Sequence, residues 1–272
     1  MRAPIEFMAV AVSLMAGCAY PEYTVDETVG LVELPPPPSD CPTNLAGPPL
    51  VGVRGGYCID STEVTWGDYE EWLLTAIAPG EQPATCRNNP PLDDVGPFRP
   101  PDADYQSLPV VGVDWCDAFE YCRSVGKRLC GHIEGGDNDY DHFDDAASSQ
   151  WYNACSSGGR NEYPYGHEYD SSVCYTETER VGPSEVVAAI PVGERSRCQA
   201  SDSGYAGVLD LSGNVAEWED SCRPGGNCRI RGGANHDPES GRAELASRCG
   251  ADDAYSPALQ AEFIGFRCCY PP

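Results

Sequence analysis

The chain has 272 residues, with 17 Lys and Arg against 43 Asp and Glu, a net charge of −26 and 41% hydrophobic residues. That length allows one large domain or two small ones, that charge repels nucleic acid and anionic lipid headgroups, and that hydrophobic share excludes both wholesale disorder and a polytopic membrane protein. Gly 29 and Pro 25 exclude a long helical bundle, and fifteen cysteines suit an oxidising compartment better than a reducing cytosol.

Residues 1–17 have the shape of a secretory signal: Arg2 is a positive start, and Phe7 to Met15 is an apolar stretch too short to span a bilayer. Met15-Ala16-Gly17-Cys18 resembles a bacterial lipobox, in which Cys18 becomes the lipidated first residue; a plain signal peptide cleaved near Ala19 is the alternative. Removing Cys18 leaves fourteen cysteines, an even number that can pair completely. Residues 18–40 carry several acids and the run Pro35-Pro36-Pro37-Pro38, which favours an extended polyproline spacer between anchor and domain. The folded part is expected over 41–272.

Thr65-x-x-Asp68 is a capping box for a first helix, in which Trp66, Tyr69, Trp72, Leu73 and Ala76 recur at helical spacing before Pro79-Gly80 stops it. A second helix runs from Asp114 to about Val125, with Trp115, Ala118, Phe119, Cys122 and Val125 on one face and Gly126 as terminator. Cys116 lies about 9 Å along the axis from Cys122 and on another face, beyond the reach of a disulfide. Past residue 130 the pattern is short strands, turns and polar loops, with one short helix near Ala146 to Cys155, so the class is α+β with little regular structure. The acidic insertion from Asp137 to Asp145 fails as an EF-hand, with His142 in place of the loop glycine and Ser148 in place of the bidentate glutamate, and reads as a solvated loop.

The blocks Tyr57-Cys58-Ile59-Asp60-Ser61-Thr62-Glu63-Val64-Thr65, Pro109 to Trp115, Gly126-Lys127-Arg128-Leu129, Tyr163-Pro164-Tyr165-Gly166, Gly207 to Trp218, Arg231-Gly232-Gly233 and Ile264-Gly265-Phe266-Arg267-Cys268 together resemble the formylglycine-generating enzyme, or sulfatase-modifying factor, family. The resemblance covers Cys41 to Tyr270. It implies that family's fold, related to C-type lectins: a single disulfide-rich domain with low regular secondary structure. Members include copper-dependent oxidases, domains of iron-dependent sulfur-transfer enzymes and envelope lipoproteins without known catalysis, so the fold alone does not set the activity.

In the copper-dependent members two cysteines after the Gly-Gly pair bind Cu(I). Here the interval from Ala234 to Arg248 contains no cysteine; Asp237 and Arg242 fall about where the thiolates would be, and neither is a Cu(I) ligand. No copper is therefore expected, and His236, Asp237 and Arg242 form at most a degenerate site. His132, His142, His167 and His236 are scattered without the i, i+4 pairing of helical metal sites. The run Asp210-Leu211-Ser212-Gly213-Asn214-Val215-Ala216-Glu217 matches a family calcium loop, which implies carboxylates from Asp210 and Glu217 and main-chain carbonyls from Gly213 and Val215 as Ca²⁺ ligands; ordering by hydrogen bonds without metal is the alternative. Trp218-Glu219-Asp220 is similar to the Trp-Asn-Asp signature of C-type lectins, but its middle Asn is missing.

The resemblance also implies disulfides Cys122 to Cys268 and Cys155 to Cys249. Cys222 and Cys228 flank the turn Pro224-Gly225-Gly226; Cys41 with Cys58 and Cys174 with Cys198 are local candidates; Cys86, Cys116, Cys130 and Cys269 have three pairings that the sequence does not rank. The reading is a lipid-anchored protein of the bacterial envelope, calcium-binding and non-catalytic, that binds an envelope protein or glycan and no nucleic acid. The alternative is an oxidoreductase of the same family with an altered site.

Overall fold

Short apolar runs between turns pair into two four-stranded sheets. The computed structural model describes residues 34–75, 83–86, 98–100, 105–176, 189–234 and 243–270. Strands β1 (Leu50–Val53), β2 (Tyr57–Asp60), β3 (Arg128–Leu129) and β8 (Cys268–Tyr270) form an antiparallel sheet in the order β1-β2-β8-β3. Strands β4 (Ala216–Cys222), β5 (Cys228–Arg231), β6 (Asp253–Tyr255) and β7 (Ile264–Phe266) form the other, in the order β6-β5-β4-β7, with β4 and β7 parallel. The chain crosses from the first sheet to the second between β3 and β4 and returns from β7 to β8 through the single residue Arg267.

Helix α1 (Trp66–Leu73) begins at the predicted capping box: the Asp68 amide donates to Thr65 Oγ1 at 3.1 Å and the Thr65 amide to Asp68 Oδ2 at 3.2 Å. It ends at Leu74, before the predicted stop, and the predicted Ala76, Pro79 and Gly80 lie outside the described residues. Helix α2 (Trp115–Ser124) starts one residue after the expected Asp114, which is its cap: Asp114 Oδ1 accepts from the Asp117 amide at 2.9 Å. Helix α3 (Gln150–Cys155) is capped by Ser149, later than the sequence suggests, because residues 146–148 form turns. A single turn, α4 (Ala243–Ala246), precedes β6. Among the described residues no helix is long and apolar enough to cross a membrane.

The faces of α1 and α2 bury Trp66, Tyr69, Trp72 and Tyr121 against Phe266 of β7, with Tyr69 and Tyr121 stacked at 5.7 Å between ring centroids. A second cluster gathers Tyr57, Ile59, Trp151, Tyr205 and Leu211 between β2 and α3. Such aromatic packing stabilises a small-strand fold beyond its buried area.

All fourteen cysteines from Cys41 onward are paired. Cys122–Cys268, Cys155–Cys249 and Cys222–Cys228 have the partners that the resemblance and the turn imply, and the four unranked cysteines join as Cys86–Cys116 and Cys130–Cys269. Adjacent residues of a strand face opposite sides, so Cys268 reaches α2 while Cys269 reaches the segment after β3. Cys222 and Cys228 stand directly opposite each other across β4 and β5.

Two expectations change. The proline run does not hang free up to Cys41: the Gly55 amide donates to Pro35 O at 2.9 Å, and a Cβ on Gly52 would lie 3.0 Å from Pro38 O, so residues 35–38 lie along the β1–β2 hairpin. The acidic insertion is also more than a solvated loop. Its acids are exposed, but Arg229 lies over the rings of Tyr140 and Phe143 at 4.0 and 3.5 Å, and Arg231 lies between Phe143 and Trp151 at 4.9 and 5.0 Å. These cation–π contacts strap the insertion to β5.

The disulfides differ in the loops they close, with a separation of 146 residues for Cys122–Cys268 and 6 for Cys222–Cys228. On the chain-entropy model their removal costs about 5 and about 2 kcal/mol. Denaturant unfolding of the paired alanine variants should rank them in that order, the first well below the second.

Candidate functional site

The loop before β4 is held in an unusual backbone conformation. Asp210 and Asn214 have φ of 59° and 55°, a left-handed region that Asp and Asn tolerate better than other non-glycine residues. Gly213, at φ 82°, passes so close to the Tyr175 carbonyl that a Cβ would lie 2.4 Å from it. Such strain persists only where surrounding contacts over-determine it. The Leu209 amide donates to Ser61 O at 2.8 Å, the Gly193 amide to Asp210 Oδ2 at 2.6 Å, the Gly213 amide to Gly232 O at 2.9 Å, and the Asn214 amide to Tyr175 O at 2.8 Å.

Four charged side chains meet behind this loop. Arg267, fully buried, donates through Nη2 and Nε to Glu217 Oε1 and Oε2 at 2.6 and 2.7 Å, and also to the carbonyls of Leu209 and Asp60 at 2.9 and 3.2 Å. The Trp151 indole donates to Glu217 Oε2 at 2.8 Å. Glu63, on the turn after β2, accepts from Asn214 Nδ2 at 3.0 Å through Oε1, while its Oε2 has no partner. Burial pushes the carboxyl of Asp210 up to about 6, against the Gly193 amide and Arg267, and burial next to Asp210 raises that of Glu63 strongly. Glu63, Asp210 and Glu217 against Arg267 are three acids and one base, so full ionisation leaves two negative charges buried.

That arrangement bears on the expected calcium site. Asp210, Gly213 and Val215 belong to one short loop and offer only oxygen, and the buried cluster behind it lacks two positive charges that a hard divalent cation would supply; on these grounds the residues fit calcium. Glu217 is placed differently from what the resemblance implies: both its oxygens are engaged by the guanidinium of Arg267. Among the described residues no three His, Cys, Asp or Glu side chains gather into a metal-binding group. Sequence reasoning gave Glu63 and Arg267 no role, although Arg267 is a lone charge in the otherwise uncharged block Ile264 to Cys268; Glu63 shares its block with Asp60 and has no such signal.

Beside the loop a cleft of about 380 Å³ is floored by Ala216, Ile230, Ala234 and Phe263, with Asp252 and Asp253 at its edge. Gly233 borders it at φ 64°, and a Cβ there would lie 2.6 Å from the Ala246 carbonyl. The degenerate-site residues His236, Asp237 and Arg242 lie outside the described residues, as does Cys18. In the Trp218-Glu219-Asp220 run, Glu219 accepts from Ser149 Oγ at 2.7 Å and faces Arg231 at 3.5 Å, so it serves the interior.

A profile for the sulfatase-modifying factor enzyme 1-like domain matches residues 43–271. Similar solved structures include PvdO from Pseudomonas aeruginosa, 20% identical over 88% of this chain and 90% of that one with a TM-score of 0.52. CarF is 18% identical over 88% and 97%, with a TM-score of 0.50. Treponema denticola variable protein 1 is 18% identical over 89% and 93%, also at 0.50. At these identities the likeness establishes the fold alone. No curated protein matches the chain.

Asp220 offers a pH test separate from the loop. Burial first, and then the nearby Asp137, push its carboxyl up to about 7, while Arg128 opposes them. The native state therefore binds this proton more tightly than the unfolded chain, so ionised Asp220 costs stability above pH 7, and the cost fades as pH falls from 7 towards 4. Asp220→Asn should raise the melting temperature at pH 8 and lose most of that gain at pH 5. Equal effects at both values would contradict the assignment.

Proposed function

Because the chain belongs to the sulfatase-modifying factor enzyme 1-like family, we propose that it is an envelope-anchored, non-catalytic member that works as a calcium-stabilised binding module. The observation that carries this reading is the state of its sulfur. The family's copper chemistry needs two thiolates, whereas the fourteen cysteines from Cys41 onward are all in disulfides and the interval after Gly232-Gly233 has none. Seven disulfides also favour an extracellular or envelope setting.

The module offers the cleft beside β4 and β5. An apolar floor suits a protein side chain better than a glycan, and the acidic edge at Asp252 and Asp253 with the chain's net charge of −26 favours a basic envelope protein as partner. Calcium would be held by the Asp210 carboxylate with the carbonyls of Gly213 and Val215. Its charge would neutralise the buried acids and lock the loop that backs the cleft.

Two experiments address the reading. With copper supplied, the folded protein should form no formylglycine on a Cys-x-Pro-x-Arg peptide, read by mass spectrometry. Turnover above a buffer-plus-copper control would favour instead the oxidoreductase with an altered site around His236 and Asp237. For the anchor, Cys18→Ser should move the protein from the detergent phase to the soluble fraction, and unchanged membrane retention would remove the lipoprotein reading. The single lysine makes a second check: Lys127 is buried against Asp60 at 2.6 Å, so an N-acylated mature chain should react with almost no amine reagent until it is unfolded.

A further inference from the structure

We propose that Glu63 is a ligand of the divalent cation at the 210–217 loop and supplies the second carboxylate of that site through Oε2. The inference rests on the calcium reading above and adds a residue that the family resemblance does not place in the site.

Three observations carry it. First, Glu63 is fully buried and its Oε2 has no hydrogen-bond donor. A buried carboxylate oxygen left unsatisfied costs free energy, so such an atom marks a missing partner. Second, the other oxygen of the same carboxylate is fixed to the loop itself. Oε1 accepts from Nδ2 of Asn214, the residue between Gly213 and Val215, whose carbonyls the proposed site uses, and Asn214 stands in the left-handed region at φ 55°. Its Oδ1 accepts from the Ile190 amide at 3.1 Å, which keeps the side chain turned this way. The backbone next to Glu63 is pinned too: the Val64 amide donates to Phe266 O at 3.0 Å, and the Val110 amide to Val64 O at 2.9 Å, so the main chain that carries this buried carboxylate is held on both sides. Third, Glu217 is already the counter-ion of Arg267. The uncompensated acids are Asp210 and Glu63, and each is the other's like-charge neighbour.

The ligand class follows from the donors. Two carboxylates and main-chain carbonyls are hard oxygen ligands in an irregular arrangement, which suits Ca²⁺ better than Mg²⁺, with its strict octahedron and reluctance to lose water.

The test compares the full chain with its Glu63→Gln variant in detergent, by calorimetric titration with calcium chloride and by melting in chelator against calcium. Gln keeps the shape and can still accept from Asn214, so the variant should melt at or above the wild-type temperature in chelator, having lost a buried acid. Its calcium affinity should fall at least tenfold and its calcium-induced shift in melting temperature by half or more. Wild-type affinity in the variant would overturn the role of Glu63 while leaving the calcium loop intact. A wild type that neither binds calcium nor shifts would overturn the calcium reading, and the ligand role with it. Should the Gln variant not fold, Glu63→Asp keeps the charge but withdraws the oxygens by one methylene, and an undiminished affinity there would equally contradict the proposal.

Discussion

Arg267 is the residue on which the two sheets depend. It occupies the one position between β7 and β8, where the chain leaves one sheet for the other, and its guanidinium reaches β4 through Glu217, β2 through the Asp60 carbonyl and the loop through the Leu209 carbonyl. Burying a guanidinium is expensive, and the forked, charge-assisted pair with extra carbonyl acceptors is the geometry that offsets the cost. A lysine could not fill these bonds, because its ammonium lacks the planar fork. The neighbouring Cys268 amide donates to Asp60 Oδ2 at 2.8 Å, and Asp60 Oδ1 accepts from Lys127 at 2.6 Å, so a second buried pair extends the clamp to the segment after α2.

The same clamp sets the charge balance of the loop. One guanidinium neutralises Glu217 and leaves Glu63 and Asp210 without a cation, which is the physical reason for placing a hard ion there. The sulfur chemistry points the same way. With fourteen cysteines used as cross-links and none in the interval after Gly232-Gly233, the chain offers no thiolate pair of the kind that attracts Cu(I), and the ligands left at the loop are hard oxygens. The proposed module is in this sense a family fold without the copper-binding cysteine pair that keeps the run from Asp210 to Glu217.

Local signals in the sequence account for much of this architecture. The start of α1 is legible because a short polar side chain three residues before a matching amide leaves a mark in the residues themselves, α2 because its apolar face recurs at helical spacing up to Gly126, and Cys222–Cys228 because a Pro-Gly-Gly turn lies between them. Long-range features are not. The pairing of Cys130 with Cys269 depends on β3 lying beside β8, and nothing in either segment announces its neighbour. The docking of Pro35 and Pro38 depends on small glycines in the opposing hairpin. The strap over β5 looks like a polar loop because its two aromatic anchors, Tyr140 and Phe143, are outnumbered by acids. Glu63 and Arg267 stand in blocks that signal the family, yet their roles emerge only when the sheets bring them together with Asp210 and Glu217.

The most direct test of the proposed reading, that the 210–217 loop holds a hard divalent cation and the chain binds no copper, is the metal content of the chain. Protein purified in calcium buffer and dialysed against metal-free buffer should contain about one calcium and no copper per chain by inductively coupled plasma mass spectrometry. Stoichiometric copper, or no calcium, would contradict it.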